Sequence, residues 1–239
     1  MWTVLLLSLG MLCCCFMTAN AQKQRSQNRP YADYRHFHLG FHVGMHTQDL
    51  AITNSGAHAE GEAVQYGTVA MYSPGFSVGI IGNWAPIIGL DIRFIPTLHL
   101  GERAITFTDL TEGEEGLHKE RFGLRSNMIE FPLMIKYSAR RLNNVRPYVT
   151  GGIYGSIMIG QKRNPEIKFN LFDYGLKIGF GCDFYLPFFK LSPELCFNFG
   201  LSDVITHKRE DMIDDSRIRY TNALSKALGR MIILTFNFE

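Results

Sequence analysis

Apolar and polar residues alternate along much of this chain. From residue 37 to residue 45 every second residue is apolar, and the residues between them are histidine or glycine. The same alternation returns in segment after segment, up to the C-terminal residues Thr235–Glu239. A period of two is typical of β-strands, because successive side chains of a strand point to opposite faces. The pattern therefore predicts an all-β chain.

The alternation predicts about eight strands. They are marked by Phe37–Ile52, Tyr72–Asn83, Ile88–Leu98, Ile129–Tyr137, Tyr148–Ile159, Phe172–Phe184, Leu191–Phe199 and a last strand that ends with Ile232–Phe238. Pro96 lies near the end of the third strand, where proline is tolerated. Pro132 lies inside the fourth strand, where it removes a ladder donor unless a β-bulge accommodates it.

Short and long connections alternate between these strands. The short connections are residues 83–86, 138–146 and 187–189, and the longer ones are 53–71, 99–126, 161–168 and 202–229. Bacterial membrane barrels have short periplasmic turns and longer external loops. The alternation therefore predicts a periplasmic N-terminus. Within the last long loop, Ala223–Leu228 predicts a short helix.

The N-terminus has the features of a secretory leader. Residues 4–16 are apolar, and Ala19-Asn20-Ala21 is a small-x-small cleavage site. The predicted organisation is a signal peptide at 1–21, a short periplasmic segment at 22–35, and a barrel with long extracellular loops at 36–239. Residues 76–96 come nearest to the ~20 apolar residues of a spanning helix, but they are interrupted by Pro86, Asp91 and Arg93.

These features together predict a transmembrane, antiparallel, up-and-down β-barrel of about eight strands in an outer membrane. A soluble sandwich would also have alternating strands. The strands are, however, long enough to cross a bilayer, for which ~9 to 11 residues suffice. Membrane lipid is then a necessary partner. The net charge of +2 and the absence of a basic run with aromatics argue against nucleic acid.

Charged residues of both signs lie on the face opposite to the apolar one. They are Asp91, Arg93, Glu130, Lys136, Asp173, Lys177, Asp183 and Glu194. The interior of a barrel of ~8 strands is just wide enough to be filled by its own side chains. Because buried charges must be paired, we expect these residues to form a lumen charge network that plugs the barrel.

Histidine and serine give no clear sign of a reactive site. His38, His42 and His46 share one face, but strand positions four apart are separated by ~13 Å, too far for one metal ion. Histidines also lie in the long loops, without a nucleophile elbow beside them. The sequence therefore predicts no catalytic residue, no metal and no cofactor, and a lipid-modifying barrel enzyme is the least favoured interpretation.

Three segments resemble a known family. Pro30–Phe41, with the sequence PYADYRHFHLGF, resembles the opening of the PorT family of outer-membrane barrels of Bacteroidetes, and Phe236–Glu239 resembles its ending. Glu130–Tyr137 is also similar, although its Glu-x-Pro-Leu pattern recurs in many Bacteroidetes barrels. The resemblance spans Arg29–Glu239.

The resemblance implies a role in the type IX secretion system. The protein would be a noncatalytic outer-membrane component, needed for export or maturation of secreted cell-surface proteins such as proteases. Its partners would be other type IX components, with secreted cargo as a further candidate. The family has no catalytic residue to transfer. The alternative is a generic small barrel for envelope stability or surface binding.

Overall fold

The computed structural model describes residues 28–54, 65–69, 74–109, 119–159, 170–204 and 224–239. The predicted signal peptide at 1–21 and the loop residues His58, His118 and His207 lie outside the described residues. Within the described ranges, no helix is long and apolar enough to cross a membrane.

In these ranges the chain forms one short 3-10 helix, Ala32–Tyr34, and twelve strands. The strands are β1 (Phe37–Asn54), β2 (Gln65–Val69), β3 (Pro74–Ile87), β4 (Leu90–Phe94), β5 (Thr97–Leu100), β6 (Glu102–Asp109), β7 (Lys119–Arg125), β8 (Asn127–Ser138), β9 (Val145–Ile159), β10 (Phe172–Tyr185), β11 (Lys190–Asp203) and β12 (Leu224–Phe238).

The larger sheet closes on itself. Strands β8 to β12 pair in chain order, and β12 pairs with β1. β1 pairs with β3, and β4 and β5 lie in line between β3 and β8. Every strand pairing among the described residues is antiparallel, so the predicted up-and-down barrel is confirmed, with eight strand positions around its wall. β2, β6 and β7 form a separate three-stranded sheet.

Polar groups fill the inside of this barrel and apolar groups cover its outside. On β8, Leu133 is 49% exposed and Ile135 is 56% exposed, whereas Met134 and Lys136 between them are buried. The same alternation continues around the wall. This arrangement is the reverse of a soluble core and suits a barrel surrounded by lipid.

The ladder is interrupted on the strand beside Pro132 and not at Pro132 itself. β8 and β9 pair through Pro132 without a register shift, so no β-bulge accommodates the proline in that pairing. The third predicted strand is instead split at Ile95–Pro96. The Ile95 N–H donates to the Pro132 carbonyl at 3.2 Å, but proline has no N–H to donate in return. The break therefore falls on the neighbouring strand.

The first short turn also lies further along the chain than predicted. β3 runs through residues 83–86 to Ile87, and the chain reverses at Ile88 and Gly89. Gly89 has a φ of +96°, which glycine adopts at little cost. A register shift between Trp84 and Ile87 accommodates Pro86 within the strand.

The long connections contain more strand than predicted. β2 lies within 53–71, and β6 and β7 lie within 99–126. The short helix predicted at Ala223–Leu228 is wrong, because β12 begins at Leu224; Ala223 itself lies outside the described residues. Lys226 and Leu228 are cross-strand partners of Thr53 and Ala51, so pairing with β1 overrides the local helix preference.

Candidate functional site

Six of the eight charged residues predicted for the lumen are buried there. They are Arg93, Glu130, Lys136, Lys177, Asp183 and Glu194. Asp91, at the periplasmic end of β4, and Asp173, at the external end of β10, are half-buried. The Ser202 hydroxyl donates a hydrogen bond to Asp173, whereas Asp91 makes no ion pair with any residue in the described part of the chain. The buried residues divide between two clusters.

The periplasmic charge cluster is built around Arg93, which has no exposed surface. Its guanidinium lies 2.5 Å from a carboxylate oxygen of Glu239 and 3.4 Å from one of Glu194. The Glu239 carboxylate also pairs with Lys190 and lies 2.8 Å from Nε2 of His38. The C-terminal side chain thus joins three basic groups at the base of the lumen.

A second pair lies in the same cluster. Lys136 Nζ is 2.7 Å from the Asp183 carboxylate, which also accepts a hydrogen bond from the Ser192 hydroxyl at 2.6 Å. Lys136 Nζ lies 3.8 Å from the centroid of the Tyr148 ring, and the Tyr148 hydroxyl donates to Glu194 at 3.0 Å. Arg93, Lys136 and Lys190 therefore balance the side chains of Asp183, Glu194 and Glu239, as buried charges require.

The external charge cluster is built around Glu130. Lys177 Nζ lies 2.5 Å from one of its carboxylate oxygens, and the Asn198 amide donates to the other at 2.6 Å. His99 Nε2 is 3.5 Å from Glu130, and its Nδ1 is 2.9 Å from the Ser77 hydroxyl. His46 lies on the other side of that hydroxyl, at 2.7 Å.

Ser77, His99 and Glu130 therefore follow one another in the order of a hydrolase triad. None of the three side chains has exposed surface, and Ser77 is held between two histidines, so the arrangement offers no route for a substrate to the hydroxyl. His42 is also buried and is hydrogen-bonded to Thr97 at 3.0 Å. Among the described residues, no group of three metal-ligating side chains comes together.

The periplasmic mouth of the barrel is covered by the cap segment, Asn28–Tyr34. The carboxylate of Asp33 is the main anchor of this segment. It accepts hydrogen bonds from Arg146 at 3.0 Å and from the Tyr185 hydroxyl at 2.5 Å, and it lies 3.5 Å from Arg141. All three partners belong to the turns and strand ends that surround the mouth.

The beginning of the cap segment is fixed as well. The Asn28 N–H donates to the Asn144 side chain at 2.8 Å, and the Arg29 guanidinium donates to the Glu239 carbonyl at 3.0 Å. The cavity left at the mouth has a volume of about 40 Å³, which is room for a few water molecules. Two aromatic side chains of the cap segment face solvent: Tyr31 is 78% exposed and Tyr34 is 65% exposed.

Residues 20–206 match the family described as outer membrane protein beta-barrel domain. This chain belongs to that family. No curated protein matches it. Among solved structures, it is similar to OprG from Pseudomonas aeruginosa, with 13% identity, coverage of 84% of this chain and 94% of that chain, and a TM-score of 0.46. It is also similar to Ail of Yersinia pestis, with 11% identity, coverage of 84% and 96%, and a TM-score of 0.35.

This outer-membrane barrel lies in the bilayer with its N-terminus and short turns in the periplasm. At the periplasmic boundary of the apolar belt, aromatic side chains are exposed on the outer face, including Phe37, Trp84 and Tyr137. Aromatic girdles mark the interfaces of such barrels. The two charge clusters therefore lie within the lipid-surrounded part of the wall.

Several residues of this barrel's lumen are not among those predicted from the sequence. Glu239 is the nearest partner of Arg93, and the alternation that puts Phe236 and Phe238 outside places Glu239 inside, so the signal was present. Tyr148 begins the fifth predicted strand, but the alternation alone does not link it to the charged residues that it contacts. Asp33 precedes the first strand, and no periodicity marks it as an anchor.

Proposed function

We propose that this barrel is a noncatalytic component of the type IX protein secretion machinery, required for export or maturation of cell-surface proteins. It acts through partner contacts at its periplasmic mouth. The observation that carries the proposal is the cap segment. Residues 30–34, with which the resemblance to the opening of the PorT family begins, lie in the cap segment and present Tyr31 and Tyr34 to the periplasm.

The cap segment is suited to binding another protein. Its polar side chains, above all Asp33, are used for attachment to the barrel, whereas its aromatic side chains are left exposed. Burying Tyr31 and Tyr34 would favour the fold, so their exposure has no stabilising role within the chain. Exposed aromatic residues on a rigid support are typical of protein interfaces. Since the anchoring partners surround the lumen entrance, the tyrosines face the periplasm above the mouth.

The packed lumen supports a role that does not depend on passage through the barrel. The two charge clusters fill the interior, and the cap segment covers one end of it. The filled interior leaves no space for a cargo protein to pass through the barrel. Contact with other secretion components is then the remaining way for the protein to take part in export.

A double variant of the cap tests this proposal. In a strain that secretes a cargo protein by the type IX route, Tyr31→Ser with Tyr34→Ser should leave cargo in the periplasm, while the barrel reaches the outer membrane at its normal level. Phe188→Ser is the matched control, because Phe188 is 92% exposed in another turn at the same end. Cargo in the medium is measured by immunoblot. Normal export by the double variant would show that the cap segment is not needed for export and would contradict the proposal.

A generic barrel for envelope stability remains the second candidate, and the broad family match favours it. Deletion of the gene separates the two. Loss of cargo export with an intact permeability barrier supports the secretion role. Normal export accompanied by sensitivity to large antibiotics or detergent supports the generic role and contradicts the first.

A further inference from the structure

The apolar belt on the outer face of β12 ends at an arginine. Its outward residues from the periplasmic end are Phe238, Phe236, Leu234 and Ile232, and the next outward residue is the exposed Arg230. Eight residues at ~3.3 Å each, on a strand tilted by ~40°, rise by ~20 Å, against a belt of ~25 Å. The Arg230 backbone therefore lies about 5 Å short of the external boundary of the belt, a distance that its long side chain spans to reach the headgroups.

Arg230 has no charge partner within the described part of the chain. Its cross-strand neighbours are Asp49 on β1 and Phe199 on β11. The Asp49 carboxylate instead accepts a hydrogen bond from the Leu50 backbone N–H at 2.8 Å. One Asp49 oxygen is used in that bond and no ion pair joins Asp49 to Arg230, so the guanidinium keeps donors that an anion from outside the chain can take. Lys226, four residues along β12, is exposed as well.

A groove lies beside this arginine on the outer face. We call it the outer groove; it crosses β1, β12 and β11 and has a volume of about 220 Å³. Its apolar lining includes Phe197, Phe199 and Ile232, while Thr47 contributes a hydroxyl and Asp49 a carboxylate beside Arg230. The site thus combines an apolar cleft, which lies toward the bilayer interior, with a cation at the level of the headgroups.

We propose that Arg230 and the outer groove bind a phosphorylated, acylated lipid of the outer leaflet. The guanidinium donates a pair of hydrogen bonds to the phosphate, because its planar fork matches phosphate oxygens. An acyl chain of the same lipid packs between Phe197, Phe199 and Ile232. Because the groove opens sideways from the wall at the height of the outer leaflet, a lipid is the ligand that can fill both parts at once. The site is independent of the proposed secretion role.

Lipid titration by native mass spectrometry tests this site. The purified barrel in detergent is titrated with bisphosphorylated lipid A and, separately, with the same lipid after removal of its phosphates. Arg230→Gln should weaken binding of the phosphorylated lipid on the order of tenfold, the value of one charge-assisted contact. The phosphate-free lipid should bind the unmodified barrel with a similar loss. Arg140→Gln is the matched control, because Arg140 is exposed in a periplasmic turn, and it should bind normally.

Three results would overturn the proposal. The first is equal binding of the phosphorylated lipid by Arg230→Gln and the unmodified barrel, with both shown to be folded by heat-modifiable migration. The second is equal binding of the two lipids by the unmodified barrel. The third is displacement of the lipid by inorganic phosphate at equal concentration, which would identify a site for free anions.

Discussion

Arg93 shows how single residues stabilise this lumen. Its guanidinium is completely buried and lies within 3.4 Å of two carboxylates, those of Glu194 on β11 and Glu239 directly after β12. A buried ion pair adds little over an apolar pair, but removal of one partner leaves an uncompensated charge. Removing any one charged member of the cluster therefore destabilises the barrel, whether or not the cluster as a whole adds net stability.

Replacement of Arg93 should destabilise the barrel. Arg93→Met leaves Glu194 and Glu239 facing each other without their shared cation, at a cost of about 3–5 kcal/mol. The temperature at which the folded band is lost in heat-modifiable electrophoresis should fall, whereas Arg140→Met should leave it unchanged. An Arg93→Met barrel as heat-resistant as the unmodified one would contradict the role assigned to this cluster.

The alternation of residues predicts which face a side chain occupies, but not its partner. Glu130 and Lys136 lie on the inward face of one strand, as expected, yet Glu130 pairs with Lys177 and Lys136 pairs with Asp183. Partners across a lumen depend on the stagger of the strands and on barrel closure. Neither the stagger nor the closure can be inferred from the alternation within a single segment.

At the scale of elements, β12 closes the barrel. It pairs with β1 over most of its length and with β11 on its other side. Without it, both neighbours would present unpaired amides and carbonyls to lipid, where water cannot satisfy them. The same strand delivers Glu239 to the base of the lumen.

Deletion of residues 231–239 should therefore prevent assembly. The truncated chain should still be exported but should stay in the periplasm and be degraded. A chain that lacks only Glu239 keeps the strand and should insert, with a folded band that is lost at a lower temperature. A folded band in the outer membrane for the longer deletion would show that β12 is not needed for closure.

The lipid-facing side of β8 makes a further test. Leu133 is half-exposed on the lipid side, whereas Leu142 is exposed in a periplasmic turn. Leu133→Arg places a charge in the hydrocarbon layer at a cost of about 2–4 kcal/mol, so the amount of barrel in the outer membrane should fall. Leu142→Arg places the same charge in water and should be tolerated. Equal levels of both variants would mean that the register of β8 is wrong.

The order and faces of the strands could be predicted, but their ends could not. Alternation sets the faces, and it is strong in β8 and β10. The ends depend on pairing: β12 extends back to Leu224 because β1 offers it a partner, and the first turn moves to Gly89 because a register shift near Pro86 keeps β3 in the sheet. Such effects arise only once two strands are side by side.

At the scale of the whole molecule, two charge clusters and the cap segment close the interior. The periplasmic cluster balances three cations with three carboxylate side chains, and the external cluster pairs Lys177 with Glu130. The cap segment then covers the periplasmic mouth through Asp33. A barrel built in this way has a closed interior, so the surfaces available for contacts are its two ends and its outer face.

Single-channel recording tests this central claim most directly. The purified, folded barrel is added to a planar lipid bilayer in molar salt, and the current is recorded at a range of voltages. Because the lumen is filled by paired side chains, the account predicts insertion without stable conductance steps, with the folded band of the same sample as proof of structure. Large, long-lived single-channel currents from the unmodified protein would contradict the closed lumen.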